Sequence, residues 1–180
     1  MSIRAILLAS AAAVAPPWSK WTAATLPSSA YWISVAGSGT NFVAIVCGSN
    51  AAAYSTNGGA TWTAVALASY TNWYSVAGSG TNFVATSASN NAAAYSTNGG
   101  ATWTAATLPP NSSNWYSVAG SGTNFVAVAY NSNAAAYSTN GGATWTDATL
   151  PSIAAWRGVA GSGTNFVAVA SNSNAAAHSP

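Results

Sequence analysis

The feature that most restricts what this chain can become is a tandem repeat. Ten residues, Tyr54-Ser55-Thr56-Asn57-Gly58-Gly59-Ala60-Thr61-Trp62-Thr63, recur unchanged at Tyr95–Thr104 and Tyr137–Thr146. A second block, Val35–Ala44 (VAGSGTNFVA), returns at Val76–Ala85, Val118–Ala127 and Val159–Ala168. Phe42, Phe83, Phe125 and Phe166 are spaced by 41, 42 and 41 residues, and Trp21, Trp62, Trp103 and Trp145 by 41, 41 and 42. No stretch shows the i, i+3, i+4 apolar spacing of an amphipathic helix, and Gly or Asn clusters interrupt the chain at short intervals. The period therefore holds short strands.

One period reads as four of them. Trp73–Ala77 ends at the Gly78–Asn82 turn, and Phe83–Ser87 ends at an Asn/Ser loop. Ala92–Ser96 ends at Asn98-Gly99-Gly100, and Thr102–Leu108 ends at Pro109 and Pro110, which suit an exit loop or an edge. Four antiparallel strands in this length make one propeller blade. A β-trefoil needs three units, which four copies of VAGSGTNFVA oppose, and a β-solenoid has shorter coils. Asn-Gly-Gly is a strong hairpin signal, because Asn tolerates a left-handed backbone and Gly adopts positive φ without a Cβ penalty. The Asn side chain can also bond amides of its own turn.

The pattern Ser-x-Asn-x-Gly-x-Thr-Trp resembles the Asp-box, or bacterial neuraminidase repeat, of sialidase-like β-propellers. That family has Asp where this chain has Asn57, Asn98 and Asn140, a change that keeps the turn acceptor and drops its charge. The resemblance implies an all-β propeller of four-stranded antiparallel blades over residues 16–180. The chain opens with a lone outer strand, Trp18–Leu26, and closes with a lone third strand, Ala175–Ser179. Between them lie Trp32–Leu67, Trp73–Leu108 and Trp115–Leu150 as whole blades, then a fourth without its outer strand. Pairing of the terminal strands would close a four-bladed ring and hide its edges. Two chains could instead combine into an eight-bladed ring. Residues 1–15 read either as a secretory signal, with Arg4, an apolar run and Ala13-Val14-Ala15, or as a degenerate half-blade, since Ile3–Val14 lies over Val43–Tyr54 without a gap.

Composition narrows the chemistry. Only 2% of the residues are charged, and Glu is missing altogether. Three Lys and Arg spread over the chain form no basic patch, so nucleic acid is not an expected partner. Weak charge repulsion favours self-association. No apolar run approaches the ~20 residues of a membrane helix, so no membrane insertion is expected. Cys47 is alone, which leaves no disulfide framework or metal cluster, and no cofactor is expected.

Catalysis in the sialidase family uses an arginine triad, a tyrosine activated by glutamate, and an acid/base aspartate. This chain has two Arg, no Glu, and Asp147 alone on an outer strand, so the expectation is no enzyme. His178 takes the position of Tyr54, Tyr95 and Tyr137, as an edge aromatic. The candidate ligand face is Trp32, Trp73, Tyr74, Trp115, Tyr116, Trp156 and Arg157, at the starts of the inner strands. It shares an end of the blades with the loops Ser49-Asn50, Ser89–Asn91, Asn131–Asn133 and Ser171–Asn174. Aromatic planes beside amides and hydroxyls suit uncharged sugars, although the same tryptophans could wedge blades together. The first functional expectation is a non-catalytic recognition or adhesion module binding a glycan or a protein surface, extracellular or on a virion or cell surface. The second is a structural block that assembles into rings or fibres, and the third, which the missing acid/base residues oppose, is a degenerate glycoside hydrolase.

Overall fold

A computed structural model describes residues 19–179, and among these lie thirteen β-strands and no α-helix. The readings of residues 1–15, and of Trp18, lie outside the described residues. The first sheet has the order β1 (Trp32–Ser38), β2 (Asn41–Val46), β3 (Ser49–Ser55), β4 (Thr63–Thr71), all antiparallel. The second repeats it with β5 (Trp73–Ser79), β6 (Asn82–Ser87), β7 (Ala92–Ser96) and β8 (Thr104–Thr107). The third has five strands: β9 (Trp115–Ser121), β10 (Asn124–Ser138), β11 (Thr146–Ser162), β12 (Asn165–Ala170) and β13 (Ala176–His178). It holds the third and fourth repeats together. One half of β11 pairs with β10 and the other, from Trp156 on, with β12.

Alternation along each strand couples one repeat to the next. Phe83 and Ala85 of β6 pack with Val43 and Ile45 of β2. Val84, between them, packs on the other side with Phe125 and Ala127 of β10. Strands buried on both faces need apolar residues at consecutive positions, which explains FVA in every copy. The inner strands β1, β5, β9 and the second half of β11 lie side by side in that order. Serine hydroxyls stitch them: Ser34 Oγ accepts from the Val76 amide (3.3 Å), Ser75 from Val118 (3.2 Å) and Ser117 from Val159 (3.2 Å).

The ten-residue block is a self-contained turn. Asn57 Oδ1 accepts from the Thr61 amide (3.0 Å) and the Ser55 hydroxyl (2.9 Å), and Asn57 Nδ2 donates to Thr61 Oγ1 (2.8 Å). Ser55 Oγ accepts in turn from the Gly59 amide (3.0 Å). Asn98 and Asn140 make the same bonds, so all three are turn residues as the sequence predicts. The second and third turns also sit on the preceding repeat. A Cβ on Gly100 (φ +93°) would overlap Val43 Cγ2 and lie 3.2 Å from Tyr54 Cβ, and one on Gly142 would meet Val84 and Tyr95 likewise. Trp103 and Trp145 donate their indole N–H to Gly100 and Gly142 carbonyls (2.9 Å each) and cap these interfaces half-buried.

The expected ring of four blades closed by its terminal strands is not what forms. Among the described residues there are three sheets, residues 19–31 contain no strand, and β13 pairs with β12 alone. Trp21 is 94% exposed. In the internal copies, the outer strand is brought to the third strand by its own hairpin. No such hairpin links residues 21–26 to β13, and the inner strands run in the row β1, β5, β9, β11, which leaves the two segments at opposite ends. The result is an arc with two ends that no described residue covers. At the first, Val35 is 62% exposed where Val76 and Val118 are 6% and 5%. At the last, Val167 and Val169 are 47% and 50% exposed where Val43 and Val84 are fully buried.

Candidate recognition face

Backbone bonds fix what shares each end of the blades. At one end the ten-residue turn lies on the turn between the first two strands: Gly58, Gly99 and Gly141 amides donate to Thr40, Thr81 and Thr123 carbonyls, each at 2.9 Å. At the other end, the link from one repeat to the next lies beside the loop after the second strand. Cys47, Ala88, Tyr130 and Ser171 amides donate to Tyr31, Asn72, Asn114 and Ala155 carbonyls at 2.9–3.0 Å. The Asn/Ser loops and the starts of the inner strands therefore do share an end, as the sequence implies.

Three of the four tryptophans at those starts have no ring face exposed to a ligand. Trp73, Trp115 and Trp156 are fully buried, and their indole N–H groups donate to Ser69, Ser112 and Ser152 carbonyls (3.0–3.1 Å). Trp32 makes the same bond to Ser28 (3.1 Å) and is half-exposed, with no described repeat packed over it. A buried indole with its one donor used has no face left for a sugar, so Trp73, Trp115 and Trp156 wedge the sheets. The loop amides are also committed in part. Asn90 Nδ2 donates to Thr71 Oγ1 (2.9 Å), and Asn91 Nδ2 to the Leu108 carbonyl (3.3 Å).

Tyr74, Tyr116 and Arg157 remain accessible, and the structure adds Tyr130 to them. The Tyr74 and Tyr116 rings have centroids 4.1 Å apart, tilted by 40°, and Tyr116 and Tyr130 are 4.8 Å apart, tilted by 30°. The Arg157 guanidinium carbon lies 5.2 Å from the Tyr116 centroid and 4.6 Å from that of Tyr130, a cation–π arrangement. The Tyr130 hydroxyl raises the Arg157 pKa above its ordinary value, so the cation is permanent. The Tyr74 phenol is also raised, first by the neighbouring Tyr116 hydroxyl and then by partial burial, so it stays a neutral donor. A fixed cation thus stands beside phenolic O–H groups with no carboxylate among them.

Tyr130 was legible only as an exception. The other copies have Cys47, Ala88 and Ser171 at its position, and Arg157 in turn replaces the tyrosine of Tyr74 and Tyr116. Two departures from the repeat meet in space. Asp147 lies apart from this row, opposite Ala136 in the β10–β11 ladder, with Asn111 Nδ2 donating to its carboxylate. His178 is exposed on β13. Among the described residues, no three His, Cys, Asp or Glu side chains come together as a metal site, and no helix is long and apolar enough to cross a membrane.

Comparisons with known proteins place the repeat and the architecture. The family model for the BNR/Asp-box repeat matches residues 53–64 and 94–105. No curated protein matches the sequence. Among solved structures, YCF48 bound to D1 peptide superposes with a TM-score of 0.64 at 19% identity, covering 86% of this chain and 53% of that one. Virginiamycin B lyase from Staphylococcus aureus gives 0.66 at 14% identity, over 78% and 49%. The computationally designed Ika4 protein gives 0.66 at 10% identity, over 88% of this chain and 97% of its own. The chain spans about half the length of the first two. At these identities the likeness is one of fold, and that fold is propeller-like.

Proposed function

From a chain built of Asp-box repeats in a propeller-like arrangement of sheets, we propose a non-catalytic recognition module that binds a peptide segment carrying a carboxylate. The observation that carries this reading is the row Tyr74–Tyr116–Tyr130–Arg157. The Tyr116 and Tyr130 faces are engaged by neighbouring rings and by the guanidinium, so hydroxyls and a cation dominate what this row offers a ligand. Such a surface suits a carboxylate on an extended polar chain better than the stacking of an uncharged sugar. Only 2% of the chain is charged, so this cation meets little competition from neighbouring charges. YCF48, similar in fold, is a structure bound to a peptide. Catalysis is set aside because Asp147, the single acidic residue, lies outside the row and has no second carboxylate to work with. An extracellular or virion-surface setting, with adhesion as its use, would suit a module of this kind.

The test is titration of short peptides, acidic and amidated, against neutral and sialylated oligosaccharides. Acidic peptides should bind, and Arg157→Gln should weaken binding about 10- to 100-fold, since a hydrogen bond to a charged group contributes about 1.5–3 kcal/mol. Oligosaccharide binding that is unaffected by Arg157→Gln would return the face to glycans and refute the proposal.

A further inference from the structure

The two ends of the arc are complementary halves of an interface that the molecule already makes internally, and we propose that a second copy of this chain continues the repeat across them. This inference does not rest on the peptide-binding reading. The internal interface has three parts. The outer strand of one repeat runs into the inner strand of the next, that inner strand lies beside its predecessor, and the Asp-box turn rests on the preceding second and third strands.

Each part has its counterpart at the ends. Residues 21–26 (WTAATL) are identical to 103–108, and Trp21 precedes Trp32 by 11 residues, the interval also found from Trp62 to Trp73 and from Trp145 to Trp156. Trp21 is 94% exposed, and beside β13 runs an apolar groove of about 450 Å³ lined by Val126, Leu150, Phe166 and Ala177. Val126 and Tyr137 on this groove stand where Val84 and Tyr95 receive Gly142 in the preceding interface. Among the described residues nothing packs on the first Asp-box turn: a Cβ on Gly59 would meet Trp62 alone, at 3.7 Å, whereas Gly100 and Gly142 are packed shut. Its counterpart surface is Val167 with His178, the positions of Val43 and Tyr54. In the assembled pair, residues 21–26 of one copy lie along β13 of the other. The first sheet then covers Val167 and Val169.

One element is missing from this junction. Gly158 stands where Ser34, Ser75 and Ser117 accept an amide hydrogen bond, so the joint between copies has one bond fewer than the internal joints and is concentration-dependent. The contact is heterologous, head to tail, and closes into a ring of two copies or continues as a filament.

The experiment is the solution mass of the full chain, alone and as two variants. Wild type should exceed one chain, while Val35→Glu and Val167→Glu, each on an exposed face, should be monomeric. Mixed, the two variants should form a 1:1 dimer, because the intact head of Val167→Glu meets the intact tail of Val35→Glu. That rescue also shows that both variants fold. A wild-type chain that stays monomeric at micromolar concentrations overturns the proposal. Self-association that survives either variant, or a mixture that stays monomeric, overturns it too.

Discussion

Gly59 and Gly100 occupy the same place in identical ten-residue blocks, at φ +86° and +93°, yet the arc gives them different neighbours. Alanine at either must hold a left-handed backbone, which costs about 1–2 kcal/mol. Gly100→Ala must in addition force its methyl against Val43 Cγ2 and Tyr54 Cβ, within a hairpin seated on a packed sheet. Overpacking of this kind costs about 1–3 kcal/mol. The expected losses are therefore about 1–2 kcal/mol for Gly59→Ala and about 2–5 kcal/mol for Gly100→Ala. With a urea m-value of about 2 kcal/mol/M, the second lowers the unfolding midpoint by about 1–2.5 M and the first by no more than about 1 M. The measurement is urea unfolding followed by circular dichroism, in the Val35→Glu chain so that the first face stays uncovered. Gly142→Ala, which meets Val84 and Tyr95, should behave as Gly100→Ala does. Equal losses at Gly59 and Gly100 would mean that the hairpins do not dock on the preceding repeat, and the reasoning about interfaces would fail.

Two further outcomes follow from the turn and the wedges. Asn98→Asp keeps the acceptor for the Thr102 amide and should leave stability within about 0.5 kcal/mol, whereas Asn98→Ala strands that amide and the Ser96 hydroxyl and should cost about 1–3 kcal/mol by urea unfolding. Trp115→Ala empties a fully buried site and should cost about 3–5 kcal/mol, while Trp21→Ala, at an exposed position, should stay within about 0.5 kcal/mol in a monomeric background by thermal unfolding.

What could be read from the residues was what local chemistry decides. Ala92–Ser96 is the predicted third strand to the residue, because Asn98-Gly99-Gly100 ends it with its own hydrogen bonds. Closure was not legible, since identity between residues 21–26 and 103–108 says that the two could fill the same place, not that the first can reach it. Residue type also could not separate a wedge from a platform: Trp73 and Tyr74 are adjacent aromatics, and only the packing of the next sheet decides that one is buried and the other accessible. The candidate face shrank accordingly, and it gained Tyr130 from a loop whose departure from the repeat carried the signal.

The joints between repeats differ in how they are made. From β4 to β5 only Asn72 intervenes, and β11 crosses from the third repeat to the fourth without a break. Between β8 and β9 the chain leaves the sheet for Leu108–Asn114, through Pro109 and Pro110. Backbone continuity thus groups the repeats two by two, and the middle joint is held chiefly by side chains, with Trp115 and Phe125 against Val84 and Leu108. A chain severed within that loop would lose no strand and no ladder, and its halves would still meet through a buried apolar surface. The arc is in this sense two cooperative units hinged at a proline pair, with its one natural seam at the middle.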